Sequence, residues 1–415
     1  MPSLSDKLKS LGVKVGAQNL APAYTRQASP QFSEHTALLE QVLAGHPLQT
    51  ALGETFVVES FYSTEYRQGR FGLQITASLQ GIAEWAGEKR ICECEPDSIA
   101  FLDTETTGLA GGTGTYAFLI GVGRFVGSSF HLAQFFMRDP IEEPAQLAAL
   151  EQFLAPCQAL VTFNGKSFDV PLLNTRYITH GWPPPLVDSA HVDLLHLARR
   201  LWRDRLPSRT LGNLEVQILG AARTSEDIPG WMIPGIYFDY LRDRNPFPLK
   251  NVMYHNAMDV ISMAALFNHM AGLLADPFNG GIDHSMDIIS LAKLFESMGD
   301  LNKATQLYIY GLEQDLPKAS LLEAIQRLAT IHKRQANLQA AAELWEQAAH
   351  HQHLLAYIEL AKYYEHHLRD YRQALHWTQS GVDLVKQAYI SPFERRQWLA
   401  DLEYRLARLQ RKLAL

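Results

Sequence analysis

The sequence predicts an α/β domain followed by an all-α helical region, and three observations carry that division. An apolar run from Ser98 to Leu102 ends in Asp103-Thr104-Glu105 and opens into a glycine-rich turn. Between Thr55 and Leu274 short strand-like runs are interspersed with helical patterns. Beyond Gly281 the pattern is helical throughout and repeats with a period of about 34 residues.

A chain of 415 residues is long enough for two or three domains. Its 47% hydrophobic and 20% charged composition describes a globular protein. The formal net charge of -7 argues against a globally basic nucleic-acid-binding surface and leaves room for a local basic groove. Cys92, Cys94 and Cys157 form neither a disulfide framework nor a metal-ligand spacing, so free thiols in a reducing cytoplasm are expected. No signal-type apolar segment opens the chain, and no run approaches the ~20 apolar residues of a membrane span. A cytoplasmic protein with no membrane contact is the expectation.

Residues 1–54 read as a lead-in with a short helical pattern at Ala37 to Leu43, residues 55–275 as the α/β domain, and residues 285–415 as the helical repeats. The runs Thr55 to Ser60 and Phe71 to Ile75 look like strands that either join the main sheet or form a separate lobe. At the end of the next strand, Asp103 and Glu105 stand two residues apart and therefore point to one face. Two anions that close need a cation between them, and an oxygen-only pair favours Mg²⁺ or Mn²⁺. The glycines from Gly108 to Gly114 read equally as a backbone approached by a ligand or as a turn needing positive φ. They lack the Lys-Ser or Lys-Thr of a phosphate-cradling loop.

Two strands follow, at residues 115–125 and 129–137, then a helix at 143–154 and a buried strand at 159–163. Asn164 to Phe168 form a turn into a helix whose first turn carries Asp169, a position that an acid favours for dipole reasons alone. Residues 183–185 and 228–235 read as loops, and 210–219 as helical. Asn251 to Leu266 read as one helix on which His255 and Asp259, a turn apart, share a face, while Tyr254 lies well around the barrel. Each acid alone has a plain structural explanation, as cap or surface contact. Together, four carboxylates converging at a sheet end require divalent metal. Two ions about 3.5–4 Å apart are the usual device for in-line attack on a phosphodiester.

Asp-Thr-Glu-Thr-Thr-Gly at 103–108, Asn-Gly-Lys-Ser-Phe-Asp at 164–169 and His-Asn-Ala-Met-Asp at 255–259 resemble, in order and spacing, the three motifs of the DEDD 3′–5′ exonucleases. The Gly-Gly-Thr-Gly-Thr-Tyr run and the Ile-Pro-Gly segment resemble the YprB-like group within that superfamily. The resemblance implies a ribonuclease H-like fold with a mixed central sheet flanked by helices. It implies two Mg²⁺ or Mn²⁺ ions held by Asp103, Glu105, Asp169 and Asp259, with His255 as general base. It also implies that Thr106, Leu109 and Asn164 touch the terminal nucleotide of a nucleic acid, expected to be a single-stranded 3′ end. Members of that superfamily place a His base five positions before the last Asp and a Tyr base four, so here Tyr254 and His255 look exchanged; helix geometry favours His255, which shares the face of Asp259. An imidazole, as a class near ~6.5, suits proton removal near neutral pH.

The helical repeats resemble tetratricopeptide repeats, three helix pairs and a final helix, which implies a partner-binding solenoid. The basic residues of the last helix, Arg395 to Lys412, read as a solvated capping face. Arg199, Arg200, Arg203, Arg205 and Arg209 read equally as a phosphate-tracking cluster or an exposed helix face. Asp193 reads as a structural hydrogen-bond acceptor. The rival to an exonuclease is a catalytically idle ribonuclease H-like scaffold that binds nucleic acid.

Overall fold

The structure, a computed structural model, describes residues 38–108, 114–279, 281–387 and 391–414. Its centre is a seven-stranded mixed sheet in the order β1-β2-β7-β6-β5-β8-β9. In chain order, β1 is His46–Thr50 and β2 Gly53–Ser63; β3 (Arg67–Gln68) and β4 (Phe71–Gly72) pair in a small ribbon, and helix α1 (Gln80–Ala86) follows. Strands β5 (Ile99–Thr106), β6 (Ala117–Val126) and β7 (Ser129–Phe136) form an antiparallel meander. Helix α2 (Glu143–Leu154) leads to β8 (Ala159–Thr162), helix α3 (Asp169–Thr179) to β9 (Ala190–Asp193), and β8 runs parallel to both β5 and β9. Then come α4 (Leu194–Trp202), α5 (Leu211–Leu214), α6 (Ile233–Asp243) and α7 (Leu249–Ala275).

The unbroken apolar run of β5 follows from its central place. Ile99 and Phe101 pack into the core on the α7 side, while Ala100 and Leu102 pack with α2 and α3 on the other face. A strand covered on both faces needs apolar residues at every position. The same alternation turns Asp103 and Glu105 towards α7 and Thr104 towards α3. Glycines in β6 let α7 lie close: a Cβ at Gly121 collides with the Asn256 carboxamide, and one at Gly123 with Phe130 and Val260.

Four features depart from the sequence-based expectations. Strand β1 lies upstream of residue 55 and is nevertheless an edge of the main sheet, with Leu39 and Leu43 of the helical residues 38–43 in the adjoining core. Helix α6 occupies part of the loop expected at 228–235, with Pro234 in its first turn, where a missing N–H costs nothing. Helix α7 spans 27 residues and is long and apolar enough to cross a membrane; most of its apolar stretch is buried in the core, which explains its composition. Finally, the basic last helix is more than a solvated face, as follows.

Among the described residues seven α-helices follow: α8 (Ser285–Met298), α9 (Leu301–Leu312), α10 (Lys318–Arg334), α11 (Leu338–His350), α12 (Leu354–Tyr363), α13 (Tyr371–Gln387) and α14 (Pro392–Leu413). Each packs on the next in sequence, and α8 also packs on α4. One apolar core runs without interruption from the sheet through α7 and α8 to Leu360 of α12, so the helical region is built onto the sheet domain. At its far end the Glu365 carboxylate, fully buried, accepts from Arg405 (2.6 Å), Arg408 (2.7 Å) and Lys412 (3.0 Å) of α14. Burial opposes its charge, but those three cations prevail and hold its pKa down at about 2.

Candidate active site

The end of β5 supplies Asp103 and Glu105, both half-buried and both turned to α7. Asn256 of α7 donates to Asp103 Oδ2 at 2.9 Å. Its own carboxamide oxygen accepts from Gln134 of β7 at 2.9 Å, and Gln134 also donates to the Met253 carbonyl at 2.8 Å. Gly121 stands opposite Asp103 in the sheet register, and its missing side chain is the space that Asn256 fills. One buried chain of hydrogen bonds thus fixes Asp103 between two strands and a helix.

Asp169 enters from the other face. It is the first residue of α3, yet its carboxylate is not spent on its own helix: Asp169 Oδ1 accepts from the Thr104 amide (3.1 Å) and hydroxyl (2.5 Å). The turn that delivers it is pinned by Asp193, which accepts from the amides of Asn164 (2.8 Å), Lys166 (3.1 Å) and Leu195 (3.1 Å). That is the structural role expected for Asp193. Asn164 itself adopts a φ of 69°, the left-handed conformation that Asn tolerates better than most residues.

Helix α7 supplies His255 and Asp259 on one face. His255 Nε2 lies 3.5 Å from Asp259 Oδ2, and donor atoms of Glu105, His255 and Asp259 all lie within 4.8 Å of one another. Tyr254 points elsewhere: its hydroxyl accepts from the Thr224 amide at 3.0 Å. His255 Nδ1 is 2.7 Å from Asp227 Oδ1 and 3.1 Å from Arg223 Nη1. The shorter contact calls for a proton on Nδ1 and leaves Nε2 on the side of Asp259.

The electrostatics mark this as a costly arrangement. Burial, reinforced by Asp259, Glu105 and Asp169, pushes the Asp103 carboxyl well above the usual carboxylate range. Burial and the charges of Asp259 and Asp169 do the same to Glu105. Burial raises Asp169 to about 6 in spite of the Thr104 hydrogen bonds, and raises Asp259 in spite of Arg223 and His255. Among the described residues Asp103, Glu105 and Asp169 form no ion pair.

Sequence reasoning missed the cation that is present. Arg223, in the loop before α6, donates to Asp259 and to Glu215 (2.6 Å) and pairs with Asp227 (3.2 Å). Burial disfavours its charge, but Glu215 and Asp259 outweigh that and raise its pKa. Arg223 and Asp227 sit in an irregular segment with no periodic signal; the one hint was an acid, Glu215, inside an otherwise apolar helical pattern. Asn256 lay within the His-Asn-Ala-Met-Asp motif and was passed over. Of the expected nucleotide contacts, Thr106 closes β5 with its hydroxyl donated to the Gly108 carbonyl at 2.9 Å, Asn164 forms the turn described above, and Leu109 lies outside the described residues.

The donor set fits divalent metal on its chemistry. Six carboxylates (Asp103, Glu105, Asp169, Asp259, Glu215 and Asp227) gather with a single guanidinium and an imidazole, and hard oxygen donors of that surplus charge suit Mg²⁺ or Mn²⁺.

A family model of the RNase H superfamily matches residues 100–271, from β5 through most of α7. The chain is 35% identical over 325 residues to YprB of Bacillus subtilis (strain 168), itself uncharacterised, covering 76% of this chain and 75% of that one. Among solved structures, a family B DNA polymerase from the archaeon Pyrobaculum calidifontis aligns with 18% identity over 51% of this chain and 29% of the polymerase, at a TM-score of 0.32 that carries no weight for function. The mixed sheet, its flanking helices and the relative covered over three quarters of its length agree: the chain belongs to the YprB family, with an RNase H superfamily domain over residues 100–271.

Proposed function

We propose that this protein is a metal-dependent 3′–5′ exonuclease of the DEDD kind, acting on a single-stranded nucleic acid, with a tetratricopeptide-like helical region that serves partner binding. The observation that carries the reading is the gathering of acids from β5, α3 and α7, two of them beside His255, with their pKa values raised chiefly by burial. A nuclease domain at 55–275 and repeats at 285–415 remain our division of labour, on a core that the two share.

Asp103, Glu105 and Asp259 are the residues to hold one ion, with Asp103 and Asp169 serving a second. Such ions supply neutralisation of the carboxylates and stabilisation of charge developing on phosphate and leaving oxygen. His255 takes the proton from the attacking water through Nε2, and Asp227 holds the ring by Nδ1 and offsets the charge it gains. Asn256 and Thr104 orient Asp103 and Asp169, so that the acids stay aimed at one point before substrate arrives.

The test is release of mononucleotides from 3′-labelled oligonucleotides of DNA and RNA with Mg²⁺ or Mn²⁺, abolished by Asp103→Ala. A 5′-labelled strand should shorten as a ladder; internal cuts would make the protein an endonuclease. One observation favours the idle scaffold: Arg223 occupies an oxygen of Asp259. Absence of release from every single- and double-stranded substrate, together with no stabilisation by Mn²⁺ in thermal melts, would establish that rival.

A further inference from the structure

A cleft of about 720 Å³ separates α4 of the sheet domain from α8 and α10 of the helical region. Eight Lys and Arg side chains line it against four Asp and Glu, in a chain whose formal net charge is -7. The distribution matters more than the count. Lys293 and Arg327 are occupied by Asp204, Glu296 and Glu323, and so belong to the junction between the two regions. Arg199, Arg200 and Arg334 are exposed and form no ion pair among the described residues, and the exposed Lys166 acts only at a distance on Glu88. Arg199 and Arg200 lie on one wall and Arg334 on the other; Lys166 stands at the end where β8 and β9 finish.

That end is the one that leads to the carboxylates. Asn164 and Asp169 bracket Lys166 in a single turn pinned by Asp193, so the segment that sends Asp169 inwards to Thr104 also sends Lys166 into the cleft. Trp85 lines the same cleft and supplies aromatic surface. Cations free of ion pairs on two facing walls, with an aromatic side chain in the same lining, are the combination that follows a sugar-phosphate backbone and stacks a base.

We propose that this cleft is a binding track for the phosphate backbone of a single nucleic-acid strand whose end reaches the carboxylate site past Lys166. The direction of the strand rests on the nuclease reading; binding in the cleft does not. The helical region thereby forms one wall of the nucleic-acid site.

The experiment uses the full chain in EDTA, with a fluorescein-labelled single-stranded 20-mer followed by anisotropy across a salt series. Arg199→Glu with Arg200→Glu should raise Kd at least tenfold and flatten the salt dependence by about 1.4 in slope, roughly 0.7 per lost phosphate contact. Both residues are exposed, and an unchanged melting curve excludes misfolding. Arg334→Glu on the opposite wall should weaken binding severalfold. Unchanged binding in the double variant overturns the proposal, as does indifference to Arg334→Glu, which would reduce the track to an open helix face. An oligonucleotide that fails to bind wild type, where an acidic polyglutamate peptide does, would assign the cleft to a protein and overturn it too. If no substrate is ever cleaved but the double variant still loses the 20-mer, the nuclease reading falls and the track stands.

Discussion

Two clusters of buried acid in this molecule are treated in opposite ways. At the far end of the helical region one carboxylate, Glu365, receives three cations and is held as an anion down to about pH 2. At the end of the sheet four carboxylates gather, Arg223 reaches one of them, and burial and repulsion raise all four. The first arrangement is complete within the chain and fastens the last helix. The second leaves a surplus of negative charge that cations from outside would neutralise, which is what the proposed site requires.

The largest effect should come from breaking the incomplete cluster. Asp103→Asn should lower nucleotide release by about a thousandfold or more, since the proposed mechanism has the residue serve both ions. The same substitution should raise the melting temperature of the metal-free protein by about 2 °C, because it removes a repelling charge where function stores strain. Calorimetry in EDTA checks the second half, and a lower melting temperature would mean that Asp103 is structural after all. Breaking the complete cluster should do the reverse. Glu365→Gln should cost ~2–3 kcal/mol, less than a fully buried pair because the cations stay partly in water. It should leave oligonucleotide cleavage by the folded protein unchanged.

A smaller effect sharpens the site. Asp227→Asn keeps the shape beside His255 Nδ1 and replaces the carboxylate that holds the ring there. A fall in kcat of about 10- to 100-fold with KM unchanged is expected, as for other orienting partners of a histidine. A fall confined to KM would place Asp227 in substrate binding instead.

These contrasts also explain which parts were legible in the sequence. The acids of β5 announce themselves because a central strand must be apolar until it reaches the site, so a pair of charges at its end stands out. His255 and Asp259 were legible because helix geometry fixes which residues share a face. Arg223, Glu215 and Asp227 were not, because their pairing is made by a loop folding back over α7, and no local period records it. Glu365 was hidden for a related reason: its partners lie 40 to 47 residues away, and charges on α14 read as a solvated face until the tertiary contact is known. Strand β1 escaped because an edge strand, half-exposed along its length, carries little alternation.

The finest test of the comparison is the sign of the pH dependence. Asp169 has its pKa raised from 3.8 to about 6, so between those values the folded protein keeps a proton that the unfolded chain has released. Its contribution to metal-free stability therefore falls as pH rises from about 4 to 6. Glu365 has its pKa lowered from 4.5 to about 2, so its contribution is present above 4.5 and is lost as pH falls towards 2. Thermal melts in EDTA should then respond in opposite ways: Asp169→Asn should remove part of the decline between pH 4 and 6, and Glu365→Gln part of the decline below pH 4.5. Saturating Mn²⁺ should reverse the first slope, because the ions bind the deprotonated acids, and leave the second untouched. Equal response of both slopes to Mn²⁺ would show that the two clusters do not differ in kind.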